Sequence, residues 1–304
     1  MKMKIIATIG LLLGVITVIA CGTGDQPARQ DIAPSVAVPE IDGVFAYKVG
    51  QFEIFTLVEV EREGNTSILL DADADLLSRY IPETGFLLPI NAFLIKAQGR
   101  NILVDAGTGA DGGIMEKINM LGVDPANIDT LLITHLHFDH FGGIQTNGTA
   151  NFPNAKVYVS EKDIEYFTVT NVNKGAVDAL ATYGDQVVTF DPGELGSSLT
   201  ELLPGITPIA NYGHTPGHTV FLVESGNDKF IIAGDFLHVG LVQFPNPDIS
   251  ATFDVDPKAA AVSRRQIIGY AASNNIPIGG MHIAYPGIGT VEADGTGYGF
   301  TPVR

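Results

Sequence analysis

The segment Thr134-His135-Leu136-His137-Phe138-Asp139-His140 sets three imidazoles and a carboxylate within six positions. Imidazole nitrogen together with carboxylate oxygen is the ligand set of zinc and similar first-row metals. His135 and His137 lie two apart, so on an extended backbone they point the same way. The adjacent Asp139-His140 pair then faces a neighbouring position. One ion cannot use all four groups and still keep an open position, so the spacing predicts two metals. The alternative is a surface loop that happens to be rich in histidine, and the distribution of histidines argues against it. All seven fall in four short segments (His135, His137 and His140; His214 and His218; His238; His282), and none precedes His135.

The other segments supply further candidates. In Gly213-His214-Thr215-Pro216-Gly217-His218, glycine and proline hold a tight turn that can present His214 rigidly, and His218 is expected to support the site from behind. Phe230-Ile231-Ile232-Ala233-Gly234-Asp235 ends an apolar strand on a carboxylate, which is costly to bury unless paired or metal-bound. Asp235 has two oxygens and can join two cations. His238, three residues on, is expected behind the ligands. His282 follows the Gly279-Gly280 pair and reads as a ligand in this company.

These groups need a scaffold. Leu131-Leu132-Ile133 reads as a buried strand delivering the first cluster, and Gly142-Gly143 after it predicts a turn or a close approach. Phe45 to Val60 alternates as a strand pair, and residues 91–105 read as a hairpin through Gln98-Gly99-Arg100. Residues 113–121 predict a short amphipathic helix. Ala155 to Val159 predicts a strand, and Ser160-Glu161-Lys162-Asp163 a capping box for the following helix. The stretch 171–200 is a candidate lid. Strands are expected at 206–210, 219–223 and 230–233. Asp256-Pro257 opens a helix to about Ser273, with Asp as N-cap and Pro at the first helical position. Strands with few helices between them predict packed sheets with helices outside. The pocket walls are expected from 61–90 and 160–200.

At 304 residues and 45% apolar content the chain can bury a sizeable core. A net charge of −17 with no basic stripe speaks against nucleic acid and anionic surfaces as partners. Lys2 and Lys4 precede an apolar run from Ile5 to Ala20, which reads as a signal peptide over residues 1–20. Val18-Ile19-Ala20-Cys21 resembles the bacterial lipobox, and Cys21 is the only cysteine. The expectation is export to the bacterial cell envelope with a lipid anchor on Cys21, a flexible tether over 21–40 and one catalytic domain over 41–304. Plain secretion and an uncleaved anchor helix are the alternatives.

His-x-His-x-Asp-His, Gly-His-Thr-Pro-Gly-His, an apolar strand ending in Gly-Asp and a late His together resemble the metallo-β-lactamase superfamily, over roughly residues 45–300. Residues 233–239, 242–245, 256–265 and 282–289 resemble the methyl parathion hydrolase group, with the dinuclear quorum-quenching lactonases as near relatives. The resemblance implies an α+β fold, a four-layer αβ/βα sandwich of two mixed sheets. It implies two divalent ions, zinc foremost. His135, His137 and His214 would hold one; Asp139, His140 and His282 the other; Asp235 would bridge, and Asp105 would orient the ligand loop. Phe138 replaces a proline common in relatives, and Ala284-Tyr285 replace Pro-Phe. The implied enzyme is a hydrolase of ester, lactone or phosphotriester bonds in small neutral or apolar substrates. A hydroxide bridging the metals would attack, with Asp139 or Asp235 moving the proton. Relatives often form homodimers. The alternatives are a metallo-β-lactamase-type amide hydrolase and a non-catalytic metal-binding lipoprotein. The 22 residues after His282 are too few for the helical domain of a glyoxalase II-type thioesterase.

Overall fold

A computed structural model describes residues 40–110 and 113–304. The expected leader, Cys21 and the tether up to residue 39 lie outside the described residues. No helix among the described residues is long and apolar enough to cross a membrane.

The first sheet has seven strands in the order β1 (Val44–Val49), β2 (Phe52–Glu63), β3 (Leu87–Ala97), β4 (Arg100–Val104), β5 (Thr130–Leu132), β8 (Lys156–Ser160) and β9 (Val187–Phe190). A small hairpin, β6 (Gln145–Thr146) with β7 (Thr149–Ala150), stands apart. The first four strands pair antiparallel, and β4, β5, β8 and β9 run parallel. The second sheet runs β10 (Ile206–Ala210), β11 (Thr219–Ser225), β12 (Asp228–Ile232), β13 (Ile278–Gly279), β14 (Ile288–Asp294), β15 (Gly297–Pro302). Only its β12–β13 pair is parallel. The β3–β4 turn is the expected tight one, with positive φ at Gln98 and Gly99.

Alternation along the strands divides the core into layers. Ile54, Phe93, Ile95, Ile102 and Val104 meet Phe221, Val223, Phe230 and Ile232 between the two sheets. The intervening Phe55, Leu94, Leu103 and Leu131 face the other way. They pack on Ile114 and Ile118 of α2 (Gly113–Met120), Phe141 of α3 (Phe138–Phe141) and Ala176, Ala179 and Tyr183 of α5 (Lys174–Tyr183). Val220, Leu222 and Ile231 pack on Ile267, Ile268 and Ala271 of α7 (Pro257–Asn274). This gives helix, sheet, sheet and helix, the expected sandwich. Asp256 caps α7, accepting from the Lys258 and Ala259 amides. The shorter α1 (Ala74–Tyr80) and α6 (Gly240–Gln243) pack together around Leu69, Val239 and Val242.

Two expectations are corrected. Residues 171–200 form no lid: α5 is seated in the core of the first layer, where the Tyr183 hydroxyl donates to the Ile144 carbonyl at 2.7 Å, and β9 closes the sheet edge. The Ser160 side chain does not cap α4 (Glu161–Glu165), so the capping box is not made. The Asp163 carboxylate points into the molecule instead.

Candidate metal centre

The candidate ligands leave the carboxyl ends of parallel strands. Asp105 follows β4, His135 follows β5, Asp235 follows β12 and His282 follows β13. Strand pairing ends there, and side chains of both sheets can turn into one hollow. Close approach depends on small residues. A Cβ at Gly143 would lie 2.0 Å from the Ala106 carbonyl oxygen, so the glycine lets the helix with His140 sit on the loop after Asp105. Gly234 has φ of +55°, and a Cβ there would meet the His218 ring at 2.6 Å.

His135, His137 and His214 converge. The His135 Nε2 lies 3.1 Å from His137 Nδ1 and 3.1 Å from His214 Nε2, and the last two are 2.9 Å apart. Three ring nitrogens cannot all satisfy one another as hydrogen-bond partners. A tetrahedral ion with metal–nitrogen bonds of 2.0–2.1 Å would set them about 3.4 Å apart, so the trio fits one ion with a slight expansion. The second cluster holds Asp139, His140, Asp235 and His282. Asp139 carboxylate oxygens lie 3.6 Å from His140 Nε2 and 3.5 Å from His282 Nε2. Asp235 Oδ2 stands between the clusters, 3.0 Å from His282, 3.2 Å from His140, 3.4 Å from His214 and 3.8 Å from His135. His140 Nε2 and Asp235 Oδ1 are buried without a hydrogen bond of sound geometry. Polar atoms buried without partners among so many metal-ligating groups are what cations would satisfy.

The rings are aimed by their other nitrogens, and the network fixes their tautomers. His140 Nδ1 donates to Asp105 at 2.7 Å, and Asp105 also accepts from the Thr134 amide and hydroxyl. That hydroxyl accepts from His135 Nδ1 at 3.0 Å. His214 Nδ1 donates to Asp254 at 2.9 Å, and His282 Nδ1 to the Pro89 carbonyl at 2.7 Å. Each of these four thus presents Nε2, whereas His137 presents Nδ1. His218 takes no part in either trio. It accepts the Asp235 amide on Nε2 and donates to the Asn211 carbonyl from Nδ1, which holds Asp235 from behind as expected. His238 stacks on His282 and places Nε2 3.4 Å from Asp235 Oδ2.

The two clusters differ in charge. Burial, with the neighbouring imidazoles, holds His135 and His214 well below the usual histidine range and brings His137 to about 4. Burial also pulls on His140 and His282, but Asp235 and its neighbours outweigh it. His140 is raised well above the usual range and His282 to about 9. Burial pushes Asp235 up, yet His140 and His282 bring it well below the usual carboxylate range.

Several working residues escaped the sequence reading. Asp254 is held by the Ala251 amide and lies 3.5 Å from the buried Arg264 guanidinium, and no motif marks it. Glu59, at a bulge in β2, accepts from the Thr108 and Gly109 amides and ties down the loop after Asp105. A cavity of about 420 Å³ opens beside His282 and His238. Phe86 and Leu87 line it, as expected of 61–90, but no residue of 160–200 does. Its other walls are Leu241, Phe244, Tyr285 and, on β15, Tyr298 and Phe300. Tyr285 and Ala284 line this cavity, whereas Phe138 is exposed and packs edge-on to Phe141.

Comparison with known proteins agrees with this geometry. The family model described as Metallo-beta-lactamase superfamily matches residues 85–287. The chain is 29% identical over 211 residues to the uncharacterized protein YobT of Bacillus subtilis (strain 168), which covers 64% of this chain and 83% of that protein. It is 30% identical over 130 residues to the N-acyl homoserine lactonase AttM of Agrobacterium fabrum, 39% of this chain and 44% of AttM. The alignment therefore spans less than half of that lactonase. Among solved structures, the hydrolase AbOPH of the beta lactamase superfamily matches with a TM-score of 0.74 at 28% identity, over 87% of this chain and 99% of that one. The dizinc quorum-quenching lactonase AidC matches in fold with a TM-score of 0.76 at 23% identity, over 86% and 98% of the two chains.

Proposed function

The chain belongs to the metallo-beta-lactamase superfamily, and from that premise we propose that it is a dinuclear metal-dependent hydrolase of ester, lactone or phosphotriester bonds. His135, His137 and His214 hold one ion, Asp139, His140 and His282 the other, and Asp235 spans both. The observation that carries this reading is the position of Asp235 Oδ2, within 3.8 Å of ring nitrogens from both clusters. A carboxylate serving a single ion has no need of that centre.

Two bound divalent ions supply Lewis acidity and lower the pKa of water, which a single zinc already brings to about 7. The chain's own groups do the rest. Asp139 is 29% exposed at the mouth of the cage and can pass a proton to the leaving group. Asp235 is buried and locked through its amide by His218, so it keeps its place as charge develops. The apolar cavity excludes water and takes the non-reacting arm of the substrate. Its volume, about 420 Å³, suits one small molecule. The lactonase relatives support the lactone member of this class, AbOPH supports a hydrolase on this fold, and zinc is the first choice of metal by ligand type.

The test is a screen of metal-loaded protein against aryl esters, acyl-homoserine lactones and phosphotriesters, with Asp235→Ala as control. Turnover of one class, lost in the variant, is expected; equal rates for both proteins would refute the mechanism. Nitrocefin hydrolysis exceeding all three would instead favour an amide hydrolase. We further place the protein in the cell envelope through acylation of Cys21. Labelled palmitate should enter the wild type and not Cys21→Ser.

A further inference from the structure

Asp163 is a fully buried carboxylate that touches no cation and no candidate ligand side chain. Its Oδ2 accepts from the Leu136 amide at 2.9 Å and the Thr215 hydroxyl at 3.0 Å, and its Oδ1 from the Gly217 amide at 2.6 Å. Leu136 lies between His135 and His137. Thr215 follows His214. One carboxylate thus grips both loops that deliver the three-histidine cluster, one leaving the first sheet and one entering the second. The approach is built: a Cβ at Gly217 would lie 2.8 Å from Asp163 Oδ1, so only glycine brings that amide so near. Burying a carboxylate without a cation is unfavourable, and three donors offset it. A helix cap would have been a simpler use of Asp163, but α4 does not use it so.

We infer that Asp163 is the positioning residue that fixes the spacing of His135, His137 and His214 and so sets the affinity of that cluster for its ion. The inference rests on the two-ion reading given above. An amide in place of the carboxylate keeps the volume but turns one acceptor into a donor. That donor then faces either the Gly217 amide or the Leu136 amide, and the loops must part. In the second cluster His140 and His282 are aimed by Asp105 and the Pro89 carbonyl, neither of which Asp163 touches.

The experiment is a competitive zinc titration of Asp163→Asn against a chelator of known affinity, with circular dichroism as the check on folding. Wild type should bind two ions. The variant should retain one at wild-type affinity and bind the other about 10- to 100-fold more weakly, the range measured for groups that orient ligands. Thr215→Val removes one donor, keeps the carboxylate and should weaken the same ion by a smaller factor. It supplies the answer should Asp163→Asn not fold. Variants that bind both ions as wild type does, with only a lower melting temperature, would overturn the inference and leave the two-ion reading intact. Equal weakening of both ions would also overturn it. A wild type that binds no zinc would overturn both.

Discussion

The three-histidine cluster and the carboxylate-rich cluster both lie against Asp235, yet their imidazoles are driven to opposite states. His135, His137 and His214 are held neutral by burial and by one another, so their nitrogens are free to coordinate. His140 and His282 are pushed towards the protonated form by Asp235, Asp139 and, for His140, Asp105. On the two-ion proposal, an ion entering the second cluster would have to displace protons, whereas one entering the first would meet lone pairs already bare. The lesson is that carboxylates near a ligand do two things. They add charge to attract a cation, and they let the empty site satisfy itself with protons. The first cluster spends nothing on self-satisfaction but needs outside help to keep three imidazoles together.

The largest effect expected is from the shared group. Asp235→Ala should abolish binding of the second ion, weaken the first, and lower kcat/KM by more than the roughly 10- to 100-fold typical of groups that merely orient a ligand. Metal analysis together with kinetics checks this; loss of only one ion at wild-type turnover would separate the clusters altogether. Next come single-cluster variants. His282→Ala and His137→Ala should each retain one ion per chain, from opposite clusters, and a variant losing both ions would mean that the sites fill only together. Asp105→Asn should follow at about 10- to 100-fold in affinity, largest for the cluster with His140, which Asp105 touches directly, and smaller for His135, which it reaches through the Thr134 hydroxyl.

A smaller effect is pH dependence, and it has opposite signs in the two halves. In metal-free protein, His282 at about 9 and His140 bind protons more tightly folded than unfolded. The His282 contribution is complete below about pH 6.5 and is lost as pH rises through about 9, and that of His140 has the same sign. His137, at about 4, binds its proton less tightly folded, as do His135 and His214, so stability falls as pH drops from about 6.5 towards 4. The melting temperature of chelator-treated protein should therefore peak near pH 6.5 and fall on both sides. A steady rise across that range would contradict the assignment. The smallest effect is at the cavity mouth. Tyr285→Ala removes a half-exposed ring and should raise KM several-fold, about 1 kcal/mol of apolar contact, with kcat unchanged.

The candidate ligands were legible because metal chemistry compresses them into short runs, three histidines and an aspartate in six positions. The strands were legible because alternation reports which face is buried. Ile54 and Phe55, or Phe221 and Leu222, go to different layers. What escaped is what lies far apart in the chain. Asp163 meets groups 27 and 54 residues away, and Asp254 meets His214 across 40. Ser160-x-x-Asp163 imitates a local pattern, but the donors from Leu136 and Gly217 compete for the same carboxylate and win. The cavity wall on β15 escaped too, since nothing in Gly297-Tyr298-Gly299-Phe300 ties that segment to the site until Tyr298 and Phe300 are found lining the same cavity as His282.

That last strand pairs with β14 alone, at the margin of its sheet and far along the polypeptide from the first ligand. One wall of the hollow is thereby carried by a strand that holds no candidate ligand. Changes at Tyr298 and Phe300 would therefore reshape the hollow while leaving every candidate ligand in place.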